Sequence, residues 1–268
     1  MAASRLPTFF ISHGGGPWPW MKEQLGGAYD GLEAALARMP KEIGPRPEAV
    51  LMVSAHWEAP EFTVQSHPNP AMVYDYGGFP EFTYHIKYAA PGAPAVARRV
   101  RALLEATGIA SAEDAERGFD HGMFAPMAVI FPNADVPVLQ LSLKRGLDPQ
   151  AHLALGRALA PLRDEGIAII GRGLSYHNLR AFGPAARAPS AAFDGWLEST
   201  LAIADARERS ATLAAWEHAP AARLAHPREE HLLPLMVALG AAEHEAATRT
   251  YHERDFFGGI TVSSFKFG

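Results

Sequence analysis

The chain has no cysteine among its 268 residues. That absence excludes disulfides, thiolate metal sites and a cysteine nucleophile, and leaves histidine and the carboxylates as the strong metal ligands. No apolar run approaches the roughly 18 residues that a membrane-crossing helix needs. The N-terminus, MAASRLPTFF, lacks the charged region and apolar core of a secretory leader. A soluble cytoplasmic protein without a membrane partner is therefore expected. There is no basic excess either, because the formal net charge is -5, and nucleic acid is not an expected partner. Composition breaks, low-complexity tracts and internal repeats are all missing, so one domain over residues 1–268 is expected. A homodimer is compatible with the chain, although no sequence feature specifies one.

What the chain has is a set of apolar strands that end in polar turns. Ala49–Trp57 reads AVLMVSAHW: five apolar residues, as in a strand buried on both faces, then a histidine where the strand leaves the core. Thr8–Ile11 repeats the plan, running into Ser12-His13 and Gly14-Gly15-Gly16. Ile167–Ile170 opens into GRGLSYHN, which places His177 just beyond a third strand. Further strands are expected at 136–143 and 259–267, with an edge strand at 62–67. Helices are expected at 20–39, 95–107, 123–131, 149–163 and 232–239, and within 189–217. The alternation predicts a single α/β domain: a central mixed, mostly parallel sheet flanked by helices, with a site at the strand ends.

Histidine carries the functional signal. His67, His85, His152, His218, His244 and His252 lie in polar or helical stretches and are expected to face solvent, and His226 precedes Pro227 in a turn. His13, His56, His121, His177 and His231 each stand beside Gly, Ser, Asn or Pro at the mouth of an apolar element. One such placement is ordinary; five together predict a metal site. An all-nitrogen and oxygen donor set suits Fe(II), Zn or Mn, and spacing does not choose among them. A histidine beside such a metal, His177 here, is a candidate general base. The Gly14–Gly16 run is not followed by Lys-Ser/Thr, so it does not read as a phosphate loop.

Residues 68–94 are rich in proline, glycine and aromatics, among them Tyr74, Tyr76, Phe79, Phe82, Tyr84 and Tyr88. Aromatic content of that kind argues for an ordered loop. The loop is expected to wall a pocket for a flat substrate, with Tyr74 and Phe79 against it.

Seven blocks, in order, carry a resemblance: ISHGGGPW (11–18), VSAHWE (53–58), YDYGGFP (74–80), GFDHGMFAP (118–126), GRGLSYHN (171–178), AHPREEHLLPL (225–235) and FKFG (265–268). Together they resemble the class III extradiol ring-cleavage dioxygenases, within them the DOPA-dioxygenase-like branch, related to the catalytic subunit of protocatechuate 4,5-dioxygenase. The resemblance implies a non-haem Fe(II) enzyme that opens a catechol ring beside its two hydroxyls with O2. It matches His13, His56 and His231 to metal positions, and His177 to an active-site base that approaches the metal. His121 matches a residue on the substrate and oxygen side. His231 stands where the better-known dioxygenase of the class uses a carboxylate; an all-histidine set leaves more positive charge on the metal and favours Zn(II) retention. Arg172 stands where many relatives carry a small residue, and is expected to pair with a substrate carboxylate or ring substituent. Two other readings compete: a zinc hydrolase using Glu229 or Glu230 as base, and a non-enzymatic Memo-like binding protein.

Overall fold

Runs of Val, Ile and Leu with no polar face form the middle of one sheet in the computed structural model, which describes residues 5–268. Residues 1–4, on which part of the leader reading rests, lie outside the described residues. The strands are β1 (Thr8–Ser12), β2 (Ala49–Ala59), β3 (Phe62–Gln65), β4 (Met72–Val73), β5 (Ser111–Asp114), β6 (Phe119–Asp120), β7 (Val138–Lys144), β8 (Ile167–Gly173), β9 (Ala247–Phe256) and β10 (Ile260–Phe267). The helices are α1 (Lys22–Leu25), α2 (Asp30–Ile43), α3 (Pro94–Ala106), α4 (His121–Ile130), α5 (Pro149–Leu159), α6 (Arg187–Leu201), α7 (Ala206–Ala214), α8 (Ala222–Ala225) and α9 (Leu233–Ala241).

Eight strands make the main sheet in the order β5-β3-β7-β2-β8-β1-β10-β9, and β4 pairs with β6 separately. The central strands β7, β2, β8 and β1 run parallel. The β3–β7, β1–β10 and β10–β9 pairings are antiparallel, so the sheet is mixed with a parallel centre. Burial on both faces explains the unbroken apolar character of the central strands. α9, LPLMVALGA, is buried along its whole length and packs on β8, β1 and α5. α2 instead buries one stripe, Leu32, Ala35, Leu36, Met39 and Ile43, at helical spacing.

Three elements differ from expectation. The helix expected over 20–39 is split, because Gly26 takes a left-handed conformation and ends α1; the next helix starts at Asp30. The strand at 62–65 is one place in from the edge, since the polar segment SAED forms β5 outside it. β9, ATRTYHERDF, is the opposite edge; only Tyr251 and Phe256 of it are buried, so it has no core periodicity to read.

Candidate metal and substrate site

The order β2-β8-β1 places the carboxyl ends of three parallel strands side by side, with Ser12 opposite Gly173 and Ser54 opposite Arg172. His13 follows β1 directly. His56 lies in an irregularity of β2: Ser54 pairs with Ser142 and Glu58 with the very next residue, Leu143, so Ala55, His56 and Trp57 leave the β7 ladder. Such bulges re-aim side chains near active sites. His231 arrives from the loop before α9, and its carbonyl lies so close to Gly173 that any Cβ there would collide with it.

Ring nitrogens of His13, His56 and His231 lie within 4.8 Å of one another. Nε2 of His56 and Nε2 of His231 are 3.1 Å apart. Both ring nitrogens of His13 are buried without a hydrogen-bond partner, which an apolar setting does not tolerate for free. Burial, followed by the neighbouring imidazoles, holds the His13 pKa well below the ordinary histidine value. Burial likewise lowers His231 and His56, against the opposing hydrogen bonds from Glu230 and Asp75. Neutral imidazoles converging on one point are the donor set a transition-metal ion needs, and the residues fit one.

Each side of this cluster has a carboxylate behind it. Asp75 Oδ1 is 2.7 Å from His121 Nδ1 and also accepts from the His121 backbone N–H at 2.9 Å. Its Oδ2 is 3.4 Å from His56 Nδ1. Glu230 Oε1 is 2.9 Å from His231 Nδ1 and 3.1 Å from His177 Nδ1. Burial pushes both carboxylates up, but the hydrogen bonds from these histidines outweigh it, and both lie below the usual carboxylate range. An ionised acceptor at Nδ1 fixes the tautomer in which Nε2 carries the lone pair. Asp75 thus aims Nε2 of His121, and Glu230 those of His231 and His177.

Arg172 does not reach the substrate side. It is fully buried, with its guanidinium bonded to Asp120, Ser54 and Gln140. One of its NH groups lies 3.4 Å from His56 Nδ1. Asp120 also caps α4 through the Met123 N–H and takes a bond from Arg117. The expected partner for a substrate carboxylate is instead the floor beneath His56. Gly122, in the DHG block, is required there: a Cβ would strike the Arg172 guanidinium and come within 3.0 Å of the His56 ring.

A cavity of about 320 Å³ opens over the histidines, lined by His13, His56, His121, His177 and His231 on one side. Tyr29, Leu174, Leu179, Phe182 and Phe256 form the apolar wall opposite. Tyr74 and Phe79 are not part of that lining. The Tyr74 hydroxyl donates to the Ile86 carbonyl and its ring packs on Phe124, while Phe79 lies behind Gly16. Residues 74–88 therefore form a second aromatic layer, in which Tyr76 meets His121 edge-on. They are consumed by holding the loop down.

Of the histidines set aside in the sequence, His152 is fully buried rather than solvent-facing. It bonds the Asp148 carbonyl through Nδ1 and accepts from the Lys144 N–H. His226 is also fully buried, against the Ser175 carbonyl. Sequence reasoning missed Asp75 and Glu230 as anchors, although both lie inside the quoted blocks. Acidic residues among Tyr-Gly-Gly and beside His231 were the available signal. Neither Glu229 nor Glu230 lines the inner cavity as a free base: Arg223 holds Glu229, and Glu230 faces the two histidines.

The family model described as the catalytic LigB subunit of aromatic ring-opening dioxygenase matches residues 7–264. A Beta vulgaris protein named 4,5-DOPA dioxygenase extradiol is 39% identical over 264 residues, which is 97% of this chain and 96% of that one. An Escherichia coli K12 protein of the same name is 32% identical, covering 100% of this chain and 97% of that one. The crystal structure of an uncharacterized Escherichia coli K12 protein superposes with a TM-score of 0.77 at 28% identity, over 98% of this chain and 100% of the other. No helix among the described residues is long and apolar enough to cross a membrane. Histidines gathered at the ends of parallel strands under an apolar cavity, within a match that runs almost end to end, make this chain a member of the LigB family of aromatic ring-opening dioxygenases, an extradiol ring-cleavage enzyme.

Proposed function

We propose that the substrate is a catechol bearing a side chain, of the DOPA-like class that the relatives' names indicate, and that the active form holds Fe(II) at His13, His56 and His231. The observation carrying this reading is the convergence of the three ring nitrogens at the floor of an aromatic-sized cavity. The chemistry such a metal supplies when bound is Lewis-acid activation of the catechol hydroxyls and electron traffic between ring and dioxygen.

The protein's own groups do the rest. His177, with Nδ1 held by Glu230, offers Nε2 as the base that takes a hydroxyl proton from the catechol. His121, with Nδ1 held by the Asp75 carboxylate, faces the oxygen side as the polar group nearest to charge developing there. The apolar wall of Leu174, Phe182 and Phe256 takes the face of the ring and excludes water. A second reading, retention of Zn(II), has the same nitrogens in its favour. Anaerobic loading with Fe(II) or Zn(II), followed by oxygen uptake with a panel of catechols, separates the two. Uptake with Fe(II) alone is expected; failure of every catechol with either metal would sink the proposal.

A further inference from the structure

Seven tyrosines occur in the chain. Tyr74, Tyr76, Tyr88, Tyr176 and Tyr251 each donate their hydroxyl to a carbonyl or carboxylate of the protein, and Tyr84 is half-buried outside the cavity lining. Tyr29 is 8% exposed, lines the cavity, and its hydroxyl has no acceptor among the described residues. The hydroxyl is not among the fully enclosed unpartnered polar atoms, so it opens on the cavity, where a bound molecule can meet it.

The hydroxyl is held in place. Tyr29 directly precedes α2, and its ring stacks on Trp18 with centroids 5.0 Å apart and planes 24° from parallel. Phe256 and Phe257 meet it edge-on. Trp18 is fixed in turn, because its indole N–H donates to the His13 carbonyl at 2.9 Å. The phenol therefore cannot swing to another partner without disturbing the backbone of a metal-site histidine. Room for its oxygen comes from Gly15, where a Cβ would lie 2.9 Å from it. Burial pushes the hydroxyl pKa up to about 12, against a small opposing effect of the Gly15 amide, so at neutral pH it keeps its proton and acts as a donor.

We infer that Tyr29 is a specificity-determining residue whose O–H donates to an oxygen acceptor on the substituent of the aromatic substrate. The inference rests on the catechol reading above and deepens it. The histidines engage the ring hydroxyls; the apolar wall accepts any ring; among the described residues of that wall, Tyr29 carries the side-chain hydroxyl donor. A substrate with a carbonyl or carboxyl oxygen on its substituent satisfies it, and an alkyl-substituted catechol leaves it unpaired, at a cost.

The test uses 3,4-dihydroxyacetophenone and 4-ethylcatechol, which differ in one carbonyl oxygen. Anaerobic equilibrium titration of the Fe(II)-loaded protein gives the ratio of their dissociation constants. Tyr29→Phe removes only the hydroxyl and keeps the stacking on Trp18. The ratio should move by roughly 5- to 10-fold toward the ethyl compound, as expected for loss of one neutral hydrogen bond. Gly15→Ala, which crowds the same oxygen, should move it in the same direction. An unchanged ratio in Tyr29→Phe would overturn the inference while leaving the catechol reading intact, provided the wild-type protein consumes oxygen with either compound. Wild-type protein that binds neither compound would overturn both.

Discussion

His177 and His231 lie face to face, with ring centroids 3.3 Å apart and planes 16° from parallel, and both turn Nδ1 toward the Glu230 carboxylate. The proposed metal ligand His231 and the proposed base His177 thus share one anchor. Stacked imidazoles at that separation leave little room for a second positive charge, and the Glu230 carboxylate at both Nδ1 atoms offsets charge developed on the pair. Asp75 makes the corresponding link between His56 and His121.

Glu230→Gln should therefore act on both histidines. It removes the charge behind His231 and weakens the tautomer control at Nδ1. Metal affinity, read by competition with a chromogenic chelator, is expected to fall by about 10- to 100-fold, as for loss of such supporting groups elsewhere. Unaltered affinity would show that Glu230 does not orient His231.

Ligand and base separate by metal content. His56→Ala should abolish stoichiometric metal, measured by plasma emission on dialysed protein. His177→Ala should keep the metal and lower kcat by about 10²- to 10⁴-fold, the usual worth of a positioned base. Full turnover in His177→Ala would remove it from that role.

Arg172 is a structural cation, fully buried with fully buried Asp120. Burial lowers the Arg172 pKa, with Asp120 acting against it, and the pair must be kept intact. Arg172→Met takes the fully buried cation from Asp120 Oδ1 and leaves the carboxylate only Arg117, Ser54 and the Met123 N–H, and is expected to cost about 3 kcal/mol in urea unfolding. A substrate-binding arginine would instead leave stability nearly unchanged and raise KM for anionic catechols.

His152 gives stability a pH dependence away from the metal. Burial lowers its folded pKa to about 4, whereas the unfolded chain has the ordinary value of about 6.5. Between these values the unfolded state binds the extra proton, so stability is retained above about pH 6.5 and lost as pH falls toward about 4. The loss from this one group is on the order of 3 kcal/mol at most. Chemical denaturation of wild type and His152→Gln at pH 7, 5.5 and 4.5 should show the difference between them shrinking as pH falls.

Much of the site was legible because its geometry follows from chain direction. Parallel strands with apolar centres must end at one edge, so a histidine at each end, His13, His56 and His177, is brought together by topology alone. His231 was legible by its block. Arg172 misled because sequence gives the type of a residue but not its depth: it belongs to β8 and points under His56, where Asp120 claims it. Tyr74 and Phe79 misled for a related reason, since an aromatic loop must first satisfy its own packing and hydroxyls. Tyr29 left no signal, because nothing around Ala28-Tyr29-Asp30 departs from an ordinary helix start.

Ring opening by this protein should incorporate both atoms of dioxygen, which isotope labelling reads. Fe(II)-loaded protein and a catechol under ¹⁸O2 should give a ring-opened product carrying both labelled atoms, with one O2 consumed per catechol. A quinone with its ring intact and no ¹⁸O incorporated, hydrogen peroxide in the medium, or product formed without oxygen would contradict it.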